Sequence, residues 1–261
     1  KVVFAVSGLG YIFISASPVI RKTLLLVIAS LERIVQLNWI FQNYDDLLEI
    51  KRQRIRVGNY RLIRGSGVCG EEFSYDSPVS GHRKSVLMAS RLIKDKGLFE
   101  YAAAVNDARV KYPNVEFKLA GGLSDNPSAL TKEEVNELCT SSGIHWIGEV
   151  SNIRNEIIQS SFVVLPSYRE GLPRFLIEAM AIGRPIITTN VPGCKECYTG
   201  KNGILVEPRN KFQLYQSIIK LLSEDDFVLQ RMGMDSRRYF EENFEAKHIV
   251  NNTFSYYEDI L

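Results

Sequence analysis

Short runs rich in aliphatic and β-branched residues alternate along this chain with segments of helical spacing. That alternation restricts the fold more than any other feature. "KVVFAV", "LNWIFQN" and "YRLIRG" read as strands near the start, and "SVLMAS", "VEFKLAG", "HWIGEV", "FVVLP", "RPIITT" and "GILVEP" read as strands further on. Between them, helices are expected around Pro18–Leu31, over "YDDLLEIKR", over about Lys96–Lys111, and from Thr131 to Gly143 with Glu134 completing a capping box. Further helices are expected from a Ser151 N-cap to about Ser160, across Glu178, and from about Asn210 to the end. Strand–helix alternation implies a parallel sheet covered on both faces. With right-handed crossovers it predicts an α/β, doubly wound, Rossmann-like domain over roughly residues 83–208.

The stretch before Gly65 shows the same pattern with only about three strands. It reads as the trailing part of a second such domain whose beginning is not in this chain. The expected boundaries are 1–66 for this partial N-terminal unit, 67–83 for a glycine-punctuated linker without periodicity, 84–244 for the complete domain, and 245–261 for a C-terminal helix packing back on the N-terminal part.

The totals exclude several classes. The 261 residues carry 45% apolar and 24% charged side chains, a soluble globular balance with a net charge of only +2, which gives no case for nucleic acid. The charge is uneven: Lys1–Gly65 holds ten Lys and Arg against four Asp and Glu, a basic surface that suits anionic lipid or a phosphate-bearing substrate. Four scattered cysteines do not make a disulfide framework, which favours a reducing, cytoplasmic setting. The apolar run Thr23–Leu31 falls far short of the roughly 20 residues a bilayer span needs, and it reads as a buried helix.

Ligands of open parallel sheets bind beyond the carboxyl ends of the strands. Arg91 and Lys96 follow "SVLMAS", Gly121 follows "VEFKLA", Gly148 follows "HWI", and Glu170 and Gly171 follow "FVVLP". Glycine permits close backbone approach, helix N-termini favour anions, and Arg can fork onto phosphate oxygens. The pattern suits a diphosphate held without a metal, although Arg91 and Lys96 could equally cap a solvated loop. Pro173 suits a first helical turn, leaving the Gly171 and Leu172 amides at the helix N-terminus. Glu178 lies in the second turn of a mostly apolar helix, where a buried carboxylate needs hydrogen-bond partners. The paired hydroxyls of a ribose would serve, and Glu170 could accept bonds from sugar hydroxyls.

Glu170 and Glu178, seven residues apart inside "EGLPRFLIEAMAIGRPIITTNVPGCKE", resemble the Glu-x7-Glu motif of retaining GT-B glycosyltransferases of family 4. "SRLIKDKG" resembles that family's Arg…Lys pair, and "TGKNGILVEP" resembles the segment closing its site. The ordered match covers about Gly65–Pro208, while "SGLGY", "FQNYDD" and "GSGV" weakly resemble the N-terminal domain and linker of bacterial capsule and lipid-linked-oligosaccharide members. The resemblance implies a GT-B fold and transfer of a hexosyl or N-acetylhexosaminyl group from a nucleoside-diphosphate sugar, uridine-based, to a saccharide or lipid-linked acceptor in polysaccharide biosynthesis. It implies that Glu178 binds the ribose, Glu170 the donor sugar, and Arg91 and Lys96 the diphosphate. It also implies phosphate or sugar binding by amides around Gly171, Leu172 and Pro173, a base contact from the Gly148–Ile153 loop, and no cofactor or metal. Peripheral association with the inner face of the cytoplasmic membrane is expected with such acceptors.

The family's N-terminal domain supplies a glycine-rich loop and a sugar-facing histidine, and His82, His145 and His248 do not match that place. The alternative reading is therefore a non-catalytic nucleotide-sugar-binding module or an inactive fragment. Asn43 and Asp45 follow a strand and are acceptor candidates, with helix capping by Asn43 as the competing role. Cys194 and Cys197 form a CxxC whose redox or zinc role lacks a second ligand pair.

Overall fold

A computed structural model of the chain describes residues 1–9, 17–77 and 84–261. His82 and the glycine-rich stretch around Gly10 lie outside the described residues.

The N-terminal unit is a three-stranded parallel sheet in the order β1 (Val3–Val6), β2 (Asn38–Phe41), β3 (Tyr60–Leu62). Helices α1 (Pro18–Val35) and α2 (Tyr44–Arg52) make its crossovers. Trp39, Phe41, Leu47 and Ile50 are fully buried between this sheet and its helices. The "TLLLVIASL" run behaves otherwise than expected. In α1 only Ile28 and Glu32 are buried, whereas Ile20, Leu26, Val27 and Ile34 are exposed. Among the described residues no element covers that face, so the run's apolar content does not translate into burial.

The second unit is a six-stranded, all-parallel sheet in the order β6-β5-β4-β7-β8-β9. Its strands are β4 (Ser85–Ala89), β5 (Glu116–Ala120), β6 (His145–Gly148), β7 (Phe162–Leu165), β8 (Ile186–Thr189) and β9 (Gly203–Val206). The intervening helices are α3 (Leu98–Lys111), α4 (Lys132–Ser142), α5 (Ile153–Ile158) and α6 (Arg174–Ile182); α7 (Lys211–Ser223), α8 (Asp226–Asn243) and α9 (Ala246–Ile260) follow the last strand. Alternation along β4 explains the two-sided cover. Val86 and Met88 face one core with α3, α4 and α7, while Leu87 and Ala89 face the other with α6. Each fully buried aliphatic side chain here contributes about 1.5–3 kcal/mol over its exposed state.

Two boundaries differ from expectation, each for a local reason. The helix read from Lys96 is a 3-10 turn, Lys94–Lys96, broken by Gly97 at φ 74° before α3 begins. The N-cap of α5 is Asn152 rather than Ser151, and no side-chain bond caps it. The C-terminal stretch holds helices as expected, three of them, parted at Glu224 and Phe244 where the backbone leaves helical geometry.

The described part of the linker is not loose. Val68 pairs with Glu245, and Val68 and Phe73 are buried in the core of the second unit. From there α9 runs back over the first unit: the Tyr256 hydroxyl donates to the Asn59 carbonyl at 3.3 Å, and Arg61 pairs with Asp259 at 2.5 Å.

The topology also dictates where a ligand belongs. The chain builds β4, β5 and β6 outward in one direction and then returns to β7 beside β4 before building the other way. That reversal between β4 and β7 is the topological switch point, and ligands of such sheets sit outside the strand ends there.

Candidate active site

Arg91 leaves the end of β4 and Glu170 leaves the end of β7, so both stand at the switch point. Lys96 joins them on the 3-10 turn after β4. Its Nζ donates to Glu170 Oε1 at 2.5 Å, and Ser167 Oγ donates to the same oxygen at 2.7 Å. Neither bond uses Oε2. Lys96 and Glu170 side chains are 12% and 14% exposed, so the pair is mostly screened from water while still bordering a cavity.

That cavity, about 290 Å³, is lined by Arg91, Lys96, Glu170, Gly171 and Leu172 on one side and by Ser7 and Gly8 of the N-terminal unit on another. Asn126 and Ser128, from the loop between β5 and α4, also line it, as do Asp95 and Arg169. A second cavity of about 270 Å³ adjoins it at Arg91 and is lined by Gly121, Gly122, Ile153, Phe175 and Glu178. Arg91 is exposed at the shared rim. A larger cavity of about 620 Å³ lies between α3 and α4, but among the described residues its lining lies on these two helices and includes no basic side chain. Its size does not make it the chemical centre.

Glu178 is 7% exposed on a helix whose next four residues are fully buried. Arg174 Nε donates to its Oε1 at 2.7 Å from one turn earlier. Burial raises the carboxyl above its ordinary range, the Arg174 bond and charge partly oppose this, and the Glu72 carboxylate adds a smaller upward push. The sequence offered ribose hydroxyls as the partner of this carboxylate, and Arg174 is the partner it missed.

Other predicted positions have different surroundings. A Cβ on Gly171 would stand 1.9 Å from the Ser7 carbonyl oxygen, so this glycine is required where the two units touch. A Cβ on Gly121 would stand 2.1 Å from the Ser90 oxygen, so close packing of strand ends demands glycine there before any ligand does. Gly148 lies behind the lining, where its carbonyl accepts from the Gly121 N–H at 2.7 Å. Pro173 is the N-cap of α6 and is outside both linings; no side-chain bond caps this helix. Asn43 is 2% exposed and Asp45 is ion-paired to Lys195 at 2.8 Å, and neither lines the described cavities. His145 and His248 are exposed away from them. Cys194 and Cys197 are fully buried, and burial pushes the Cys194 thiol up to about 12, so neither is a ready thiolate.

Sequence reasoning gives Tyr168 no role. Its N–H donates to the Asp95 carbonyl at 2.9 Å, its hydroxyl donates to Glu100 at 2.8 and 2.9 Å, and Arg209 lies 4.5 Å over its ring. Burial first, and the Glu100 carboxylate second, hold this phenol protonated far above its ordinary range. Tyr168 thereby joins the Glu170 loop to the turn that carries Lys96. Composition marks the Asn126–Ser128 loop only as turn-forming, and nothing in it signals proximity to Glu170.

A Rossmann-like domain with a mixed-charge site at its switch point, facing a second parallel sheet across a cleft, is the GT-B arrangement. Residues 83–224, more than half the chain, match the family described as "Glycosyl transferases group 1", and the chain belongs to that family. It is similar to the N,N'-diacetylbacillosaminyl-diphospho-undecaprenol alpha-1,3-N-acetylgalactosaminyltransferase of Campylobacter jejuni, 30% identical over 63% of this chain and 43% of that protein. It is also similar to the capsular polysaccharide biosynthesis glycosyltransferase CapM of Staphylococcus aureus, 27% identical over 66% of this chain and 45% of that protein. The chain spans less than half the length of these curated relatives. Among solved structures, an Anabaena protein, Alr3699/HepE, in complex with UDP and glucose superposes with a TM-score of 0.77 at 21% identity, over 97% of this chain and 71% of that one. The sucrose-phosphate synthase of Thermosynechococcus elongatus superposes with a TM-score of 0.82 at 21% identity, over 99% of this chain and 67% of that one. These likenesses show the fold.

Proposed function

We propose that the chain carries the donor site of a retaining glycosyltransferase that moves a hexosyl or N-acetylhexosaminyl group from a uridine-diphosphate sugar to a saccharide or lipid-linked saccharide in polysaccharide biosynthesis. The observation that carries this reading is the pair of cavities meeting at Arg91, one with a buried carboxylate and the other with the Lys96–Glu170 pair. The base stands against Ile153 and Phe175, the ribose hydroxyls donate to Glu178, and the diphosphate bridges to Arg91 and Lys96. The uncapped N-terminus of α6 adds its dipole to the same charge. Glu170 keeps Oε2 for a sugar hydroxyl. Two likenesses support the choice of substrates: the Anabaena protein is in complex with UDP and glucose, and the Campylobacter relative is named for a diphospho-undecaprenol saccharide.

In the transfer step the bond from the sugar's anomeric carbon to the diphosphate oxygen breaks, leaving oxocarbenium character on the sugar. The acceptor oxygen bonds to the same face of that carbon, and its proton passes to the departing phosphate. Lys96 and Arg91 stabilise the charge that develops on the diphosphate, a role fixed cations fill without reorganisation in a partly water-excluded site. The reading assigns no metal to this step.

A lipid-linked acceptor would bring the enzyme to the inner surface of the cytoplasmic membrane. Peripheral contact is the form of association proposed; among the described residues no helix is long and apolar enough to cross a membrane.

The test is a calorimetric panel of nucleoside diphosphates and their sugars, followed by transfer assays with the tightest donor and polyprenyl-diphosphate saccharides. The expected result is selective binding of uridine nucleotides with transfer that retains anomeric configuration. Tight binding without transfer would favour the nucleotide-sugar-binding module. Absence of nucleotide binding would contradict both.

A further inference from the structure

The loop that carries Glu170 is gripped from the other unit at two points directly and, through a neighbouring segment, at a third. Arg169, immediately before Glu170, pairs with Asp46, whose side chain is completely buried. Gly171, immediately after Glu170, offers its carbonyl to Asn43 Nδ2 at 3.0 Å. Behind Glu170, its own N–H donates to the Pro192 carbonyl at 3.1 Å, and the segment following Pro192 is tied across the cleft by Lys195 and Asp45 at 2.8 Å.

The gripping side chains of Asn43 and Asp46 are themselves hydrogen-bonded to one another. Asn43 is the N-cap of α2, accepting from the Asp46 N–H at 2.8 Å, and its Nδ2 also donates to Asp46 Oδ2 at 3.0 Å. One helix start therefore fixes the two side chains that hold the residues on either side of Glu170. A carboxylate at a helix N-terminus is favoured there in any case, and a buried ion pair resists removal of one partner.

We propose that Asn43, Asp45 and Asp46 are positioning residues for Glu170, so that docking of the N-terminal unit sets where the donor-side carboxylate stands. The nucleotide half of the site is outside this grip: Glu178, Gly121 and Ile153 are held within the second unit. The assignment gives a further role to Asn43 and Asp45, which the sequence offered as acceptor candidates beside helix capping by Asn43, the capping the structure shows. The consequence for ligands rests on the reading of Glu170 as the sugar contact, whereas the grip is a property of the protein alone.

The experiment uses the full chain and two readouts. Hydrogen exchange without ligand reports the amides of Tyr168 and Glu170, with those of Val163 and Val164 in β7 as internal references. Asp46→Asn should speed exchange at the Glu170 amide at least about tenfold and leave the β7 amides protected, a local opening rather than global unfolding. Asp45→Asn, whose pair is partly exposed, should give a smaller acceleration in the same place and serves if Asp46→Asn does not fold. Calorimetry then compares UDP with UDP-glucose and UDP-N-acetylglucosamine. UDP affinity should be unchanged in both variants, while the difference between UDP and its sugars shifts as it does in Glu170→Gln. Unchanged exchange at the Glu170 amide in both variants would overturn the positioning role. Faster exchange in a protein that binds none of these nucleotides would sustain the grip and refute the nucleotide-sugar reading.

Discussion

Glu178 is costly to keep ionised, and that cost has a sign that can be measured. Burial raises its folded-state value above the ordinary 4.5 despite the Arg174 bond. Between the two values the folded chain holds more protons than the unfolded chain. The stabilising contribution is therefore full below about 4.5 and is lost as pH rises through the folded-state value. Glu178→Gln should remove this slope. Thermal midpoints of variant and wild type should coincide at low pH and separate, with the variant higher, toward neutrality; parallel curves would show that Glu178 is not strained. The Glu170–Glu178 spacing could be read from the sequence because both residues fall in one continuous strand–turn–helix. The Asn43–Gly171 bond could not, since it joins positions 128 residues apart, and no local pattern encodes such a pairing.

Among the elements, the Lys94–Lys96 turn decides whether a cation reaches Glu170. Helical spacing is continuous over Lys96–Lys111, so the sequence alone runs the helix through Lys96. Gly97 breaks that helix: its φ is 74°, and a Cβ there would stand 2.2 Å from the Pro166 carbonyl oxygen. Gly97→Ala should cost at least about 1 kcal/mol, the penalty of the left-handed conformation alone, and should displace Lys96 from Glu170. Thermal unfolding should fall and UDP affinity should drop with it. Wild-type UDP affinity in a destabilised Gly97→Ala protein would mean that the turn does not present Lys96 to the diphosphate. The strands themselves were legible from composition, since β7 and β8 are buried on both faces and read as unbroken apolar or β-branched runs. The boundaries at Gly97 and Asn152 were not, because they depend on which strand end each loop must pass.

At the scale of the molecule, two parallel sheets face one another across the Gly8–Gly171 contact, and α9 bridges them on the far side. The doubly wound domain was legible because alternation of strands and helices admits few topologies. The exposure of α1 was not: an apolar run states what a helix would bury, and only the assembled fold states what is present to bury it. The bridge by α9 is open to test. Tyr256 is 1% exposed with its hydroxyl bonded to Asn59, so Tyr256→Ala should cost about 3–5 kcal/mol, in the range for a buried aromatic. The loss should appear as a lower unfolding midpoint and a larger radius in solution scattering. A radius unchanged from wild type under native conditions would show that the Gly8–Gly171 side alone holds the units together. The most direct measurement of all is a calorimetric titration of UDP into wild type, Glu178→Ala and Glu170→Ala. The expected result is UDP binding that weakens at least about tenfold in Glu178→Ala, as hydrogen bonds to a charged acceptor worth about 1.5–3 kcal/mol are lost, with little change in Glu170→Ala. Wild-type UDP affinity in Glu178→Ala would contradict the assignment of that buried carboxylate to the ribose.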